Sequence, residues 1–189
     1  MSVIRNNSSD LRVQKTVKAV KQALVTLIMQ KPYRQIRVDE LDKEAMINRQ
    51  TFYSHFASID NVLEAIGEDM LGELQEGLKA LVPGDLRGGV ALFYRYMNTD
   101  DPVKEKLFFD SEFETFSAGF AAHYFSLDFF SGLCMNEDYV DIVPSFMANA
   151  ASGIFRRWRN RPANDRVSLE ELADNTAKLL MTGLNGLNS

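Results

Sequence analysis

The sequence predicts an all-α protein in two parts, a small N-terminal helical unit and a larger C-terminal one. Three observations carry that expectation. Apolar residues recur at three- and four-residue intervals along most of the chain, which is the spacing of one helix face. The recurrences stop at Lys31-Pro32-Tyr33 and at Pro83-Gly84, where proline removes a backbone donor and restricts the residue before it. Helix-opening residues then restart them, at Asn48, at Ser58 or Asp60, at Asp101-Pro102 and at Ser168-Leu169-Glu170-Glu171.

Composition narrows the class. At 189 residues, 46% of them hydrophobic, the chain can bury a sizeable core. It has no apolar run of about eighteen residues, and Met1 to Asp10 lacks the apolar stretch of a secretory signal, so a cytoplasmic protein without a membrane partner is expected. The single cysteine, Cys134, has no internal partner and reads as a small buried hydrophobe. His55 and His123 are the only histidines, and no Cys/His spacing suits a metal, so no metal and no cofactor is expected. Nucleophile-elbow and phosphate-loop patterns are missing too, which argues against an enzyme. The net charge of -5 is unevenly spread: residues 1 to 60 hold ten Lys/Arg against six Asp/Glu, and the remainder holds eleven against twenty. That asymmetry puts a polyanion-binding end at the N-terminus.

Taken in order, Asn6 to Asp10 reads as a flexible arm preceded by Arg5, and a helix is expected from Leu11 to Gln30. Its stripe is Val13, Val17, Val20, Leu24 and Leu27, with Lys15, Lys18 and Lys21 solvated off it. A short helix over Val38 to Ala45 follows, apolar at Val38, Leu41 and Ala45, and Met46-Ile47 leads into a second one capped by Asn48. In that second helix Phe52 and Phe56 stand four apart and share one face. The opposite face is centred on Gln50 and Ser54, with Thr51 beside them and Tyr53 and His55 as flanks. One side packs while the other presents hydrogen-bonding groups suited to base edges and phosphates. Two short helices so joined form a helix-turn-helix pattern, for which an ordinary helical hairpin is the competing reading.

The run from Val17 through Ile66 resembles the N-terminal domain of TetR-family bacterial transcriptional regulators. The matching residues are Leu24, Leu27 and Tyr33, then Val38, Leu41, Ala45 and Ile47, then Thr51-Phe52-Tyr53-Ser54-His55-Phe56, then Val62-Leu63. The resemblance implies a three-helix DNA-binding domain over residues 1–58 and a helical effector-binding and dimerisation domain over 59–189. It also implies Tyr53 and His55 on phosphates, Thr51 on backbone or base, and Arg49 and Gln50 as the residues that set sequence preference. Gln pairs with adenine and Arg with guanine, so the chemistry agrees. With Arg37, Asn48 and Ser54, these make up the expected DNA-binding set. Four positions depart from the family's pattern: Arg37 stands where Thr or Ser caps, Met46 and Gln50 where Gly is frequent, and Ile59 where a Lys opens the next helix. Methionine at 46 suggests a turn that does not need positive φ. Isoleucine at 59 cannot grip a phosphate as that lysine would, and Arg37 is a candidate to do so in its place.

Beyond Ser58 or Asp60 a long helix is expected to about Leu81, with Val62, Leu63, Ile66, Met70, Leu74, Leu78 and Leu81 as its stripe and a transmitting role. Leu86 to Met97 is another helix. Residues 92 to 130 are rich in aromatics, and Phe109, Phe113, Phe116 and Phe120 fall at four, three, four. Such spacing is core first and ligand wall second. In the family this region encloses a pocket for a small-molecule effector, for which Phe93, Tyr96, Phe109, Phe113, Phe116, Phe120 and His123 are the candidates. The helices at about 140–159 and 168–184 resemble the pair through which TetR-family proteins form homodimers. The arginines of 156 to 161 are expected to cap the first of these and to pair with Glu170, Glu171 or Asp165. The functional expectation is an effector-responsive homodimeric repressor reading a pseudopalindromic double-stranded DNA operator. The alternative is a regulator whose C-terminal domain binds a protein partner and activates transcription.

Overall fold

The computed structural model of the chain describes residues 4–133, 137–139 and 142–187. Cys134 and Val140 lie outside them. Among the described residues the chain forms nine α-helices and no strand: α1 Ile4–Gln30, α2 Val38–Glu44, α3 Arg49–Tyr53, α4 Ile59–Leu78, α5 Leu86–Met97, α6 Pro102–Phe109, α7 Glu114–Phe125, α8 Ile142–Arg159 and α9 Leu169–Leu187. None of these is long and apolar enough to cross a membrane. They divide into two compact units, Met1–Asp69 and Met70–Ser189, and the division falls inside α4.

In the first unit α1 starts seven residues before the expected Leu11, at Ile4, because no Pro or Gly stands between Ile4 and Leu11 to end it. The arm expected at Asn6 to Asp10 is therefore helical. Only the C-terminal part of the stripe is core: Val20, Leu24, Leu27 and Ile28 are buried, while Val13 is exposed. Lys21 is not simply solvated. Its Nζ donates to Asp69 Oδ2 at 2.7 Å and to the Ala65 carbonyl at 3.2 Å, which ties α1 to the first half of α4. Val62, Leu63 and Ile66 on that half are buried too. Ser58 starts α4 by accepting from the Asn61 N–H at 3.2 Å. Tyr33, in the turn after α1, donates to Asp60 Oδ1 at 2.5 Å and so holds that turn against the helix start.

The connection from α2 to α3 corrects the expectation drawn from Met46. Met46 has φ 54, the only positive φ at a non-glycine residue among those described. The hydrogen bonds explain why: the Ile47 N–H bonds the Asp42 carbonyl at 2.9 Å and the Met46 N–H bonds the Lys43 carbonyl at 3.2 Å. That is the Schellman closure of a helix, which requires a left-handed residue just past its end. The turn keeps the geometry that glycine normally serves and places a methionine in it, with a side chain that is 91% exposed.

In the second unit α7 packs along α8 and α5 along α9. The Tyr94 hydroxyl donates to the Ala151 carbonyl at 3.0 Å and lies 2.9 Å from the Thr176 hydroxyl oxygen, so one buried group joins α5, α8 and α9. Burial pushes its ionisation well above the usual phenol range. Tyr124 on α7 donates to the Gly89 carbonyl on α5 at 2.9 Å. A Cβ at Gly89 would stand 2.6 Å from the Phe130 ring, so glycine here permits a close approach. The last helix continues past Gly183 to Leu187.

Relief of the left-handed strain at Met46, about 1–2 kcal/mol, exceeds the entropy that glycine adds to the unfolded chain, about 0.4–1 kcal/mol. Met46→Gly is therefore expected to raise stability by about 0.5–1 kcal/mol in urea denaturation, and Met46→Ile to lower it by about 1 kcal/mol or more.

Candidate nucleic-acid interface

The candidate interface is built on α3, whose single turn and a half cannot be stable alone. Asn48 caps it, its Oδ1 accepting from the Thr51 N–H at 2.8 Å and from the Thr51 hydroxyl at 3.0 Å. Phe52 is fully buried, with Phe56 buried beside it and ring centroids 6.0 Å apart. The regular helix ends at Tyr53, short of His55 and Phe56, because Ser54 closes it: its hydroxyl donates to the Thr51 carbonyl at 2.7 Å. The Phe56 N–H still reaches the Phe52 carbonyl at 3.0 Å, so His55 sits in one further, looser turn.

Asn48, Arg49, Gln50, Tyr53 and Ser54 are exposed, while Thr51 and His55 are half-buried. The Arg49 guanidinium lies 5.7 Å from the Tyr53 ring centroid, four residues on, and Tyr53 meets Phe52 edge-on at 5.2 Å. The hydrogen-bond geometry sorts these side chains by what they can offer. Thr51 and Ser54 each spend their one hydroxyl proton inside the turn, leaving only acceptor lone pairs, whereas phosphate oxygens need donors. Arg49, Gln50 and the Tyr53 hydroxyl keep donors facing outward.

Arg37 stands at the start of α2, 73% exposed, with its guanidinium 3.4 Å from Asp39. A guanidinium has no acceptor, so only half of a capping box forms: Glu40 accepts from the Arg37 N–H at 3.0 Å and pairs with Lys31 at 2.5 Å. These bonds hold the Glu40 carboxyl below its usual range. Ile59 is half-buried in the first turn of α4. Lys43, exposed in the last turn of α2 and in no ion pair among the described residues, is a further cation outside the expected set. Its signal in the sequence is its place beside the turn.

Asp42 is likewise outside that set. It lies on the inner side of α2, 7% exposed, and its Oδ1 has no hydrogen-bond partner. Its position next to Leu41 and three before Ala45 is the signal that the sequence holds. Burial, first, pushes its carboxyl up, Arg49 opposes the shift and Asp39 adds to it.

The residues expected to meet an effector fall into separate settings. Phe93 is fully buried and stacks on Tyr124 at 5.2 Å. Tyr96, Phe116 and Phe120 surround Phe108 at 5.0–6.5 Å. Phe113 is buried. Phe109 and His123 border two different cavities, of about 480 Å³ and about 560 Å³. His123 is exposed. The arginines near the end of α8 do not pair with Glu170, Glu171 or Asp165: Arg159 bonds Glu105 at 2.5 Å, and Arg156 donates to the Phe108 carbonyl and the Ser117 hydroxyl. The reason is spatial, since α6 packs beside the end of α8. No group of three or more His, Cys, Asp or Glu side chains among the described residues is placed to hold a metal.

Residues 22–66 match the family model described as bacterial regulatory proteins, tetR family. No curated protein matches the sequence. Among solved structures, a TetR transcriptional regulator from Streptococcus agalactiae 2603V is similar at a TM-score of 0.65 and 19% identity, over 93% of this chain and 98% of that one. The dihydroxyacetone kinase operon activator DhaS is similar at a TM-score of 0.52 and 23% identity, over 90% of this chain and 96% of its own.

The raised Asp42 carboxyl means the folded state holds that proton more tightly than the unfolded chain. Its contribution therefore favours folding below the ordinary carboxylate range and is lost as pH rises through the folded value. Asp42→Asn is expected to be more stable than the parent at pH 7, with the difference shrinking as pH falls toward about 3.9. Paired denaturation curves across pH check this.

Proposed function

We propose, from the premise that the chain is a TetR-family regulator by its N-terminal domain and by its fold, that it is a homodimeric, effector-responsive repressor of a pseudopalindromic DNA operator. The observation that carries this reading is the division of labour on α3. Phe52 anchors the helix from beneath while Arg49, Gln50 and Tyr53 present unspent donors above it. Arg49 and Gln50 read base edges in the major groove. Tyr53, His55 and the cations Arg37 and Lys43 hold phosphates, while Asn48, Thr51 and Ser54 shape the turn that aims them.

The dimer forms through α8 and α9. Ile142 and Phe146 share a face of α8 and are 58% and 44% exposed, and Leu179 on α9 is 64% exposed. Glycine at 183 lets the Phe146 ring lie against α9 at close range. Apolar side chains this exposed on adjacent helices suit an isologous interface. Two copies so joined would set their reading helices one helical turn apart, about 34–36 Å. Effector bound in the larger unit would favour a dimer geometry that no longer matches that spacing, with α4 as the continuous element shared by both units. The second neighbour is named an activator, so the sign of regulation is read from a reporter placed behind the operator.

In anisotropy titrations against the chain's own upstream DNA, Gln50→Ala should cost roughly 10–100-fold for the preferred site and little for scrambled DNA, matching about 1–3 kcal/mol of discrimination. Tyr53→Phe should weaken both alike. Failure to footprint any upstream palindrome at low salt would sink the reading. Leu179→Glu with Phe146→Glu should convert the dimer to monomer in sedimentation velocity while leaving the helical content unchanged.

A further inference from the structure

The cavity of about 480 Å³ in the second unit lies among the end of α5, the body of α6 and the end of α8. Its wall carries three guanidinium groups, Arg156, Arg159 and Arg166, against two carboxylates, Asp100 and Glu105. Only Arg159 is in an ion pair, with Glu105 at 2.5 Å. Arg156 is held by neutral oxygens, the Phe108 carbonyl at 2.8 Å and the Ser117 hydroxyl at 2.9 Å. Arg166 donates to the Arg161 and Arg159 carbonyls at 2.8 and 2.6 Å, where it meets the partial negative charge at the end of α8. Arg156 and Arg166 thus have no carboxylate in ion-pair range among the described residues, and most of their N–H groups are unspent.

The guanidinium groups are also fixed in place. Arg159 lies 4.0 Å and Arg156 5.8 Å from the centroid of the Phe109 ring, so one aromatic ring contacts both. Arg166 rests 5.4 Å from the Trp158 ring centroid. Arg156 and Arg159 are half-buried and Arg166 is exposed, and guanidinium forks so oriented favour a bidentate oxyanion over a diffuse counter-ion. Asn98, Thr99 and Asn160 line the same cavity and supply amide and hydroxyl groups. The volume lies within the range of small-ligand pockets.

We propose that this cleft is a binding site for a small hydrophilic oxyanion, a phosphate or carboxylate borne on a short hydroxylated carbon chain. The oxyanion bridges Arg159 and Arg166, and the hydroxyl groups face Asn98, Thr99 and Asn160. Arg156 serves as the scaffold, since it already joins α6, α7 and α8. The inference deepens the reading of the larger unit as a sensor and rests on it for its regulatory meaning. An oxyanion on Arg159 competes with Glu105, and so loosens the link between α6 and α8.

The test is calorimetric titration of the full chain with glycerol 3-phosphate, glycerate and, as the neutral counterpart, glycerol. Saturable binding of the phosphate or the carboxylate, no heat from glycerol, and a loss of about tenfold or more in affinity in Arg159→Gln and in Arg166→Gln is the expected result; which acid binds names the head group. Circular dichroism melts of both variants without ligand establish that they are folded, and Arg166, being exposed, is the safer of the two. No saturable binding of either acid up to about 10 mM, or affinity unchanged in both variants, overturns the proposal. Operator binding by the same variants without ligand is read separately, so a failed regulator reading leaves the calorimetric result standing.

Discussion

The first unit depends on the burial of Phe52. A helix of five residues has no stability of its own, and its direction is whatever its one buried side chain and its cap allow. Phe52 is wholly removed from solvent, Phe56 packs beside it, and the Asn48 side chain satisfies the free Thr51 N–H. Everything on the outward side of α3, Arg49, Gln50 and Tyr53, is aimed by that anchor. The Schellman closure of α2 fixes the other end of the same turn, since the Met46 and Ile47 N–H groups both fold back onto carbonyls of α2 before the chain reaches Asn48.

Much of this was legible in the sequence because the signals are local. Asn48 as a cap, Phe52 and Phe56 as one face, and the α4 stripe from Val62 to Leu78 follow from spacing alone, and each residue is where that spacing places it. The left-handed Met46 was not legible in the same way: the usual marker, glycine, is absent, and only the closing hydrogen bonds reveal that the geometry is kept. The partners of Arg156 and Arg159 were illegible for another reason. Glu105 lies 54 positions from Arg159, and nothing in one sequence tells which of many acidic residues the fold will bring near. Asp42 stood in plain view beside Leu41 and three before Ala45, yet that spacing does not say that its carboxylate oxygen is left without a partner.

The second unit is ordered by paired contacts between aromatic rings and by a few buried hydroxyls. Tyr94 and Tyr124 are both buried, and each spends its proton on a backbone carbonyl of a neighbouring helix. Such bonds fix the depth at which α5 meets α7 and α8, which ring packing alone leaves free to slide. The aromatic residues expected to wall a ligand are largely occupied with one another. The open polar space lies instead beside Phe109, where the rings give way to arginine.

The internal bonds of Thr51 and Ser54 have a consequence for how much a single protomer can specify. With both hydroxyl protons committed to the turn, the proposed reading rests on two base-reading side chains, Arg49 and Gln50, in each half-site. Two such contacts distinguish few base pairs, far too little information to single out one address among the roughly 10⁶–10⁹ competing sites of a genome. A protein built this way must draw the rest of its selectivity from pairing two half-sites at a fixed distance and from how readily the intervening duplex deforms. Its operator would then be defined as much by the untouched base pairs between the half-sites as by those the helix meets.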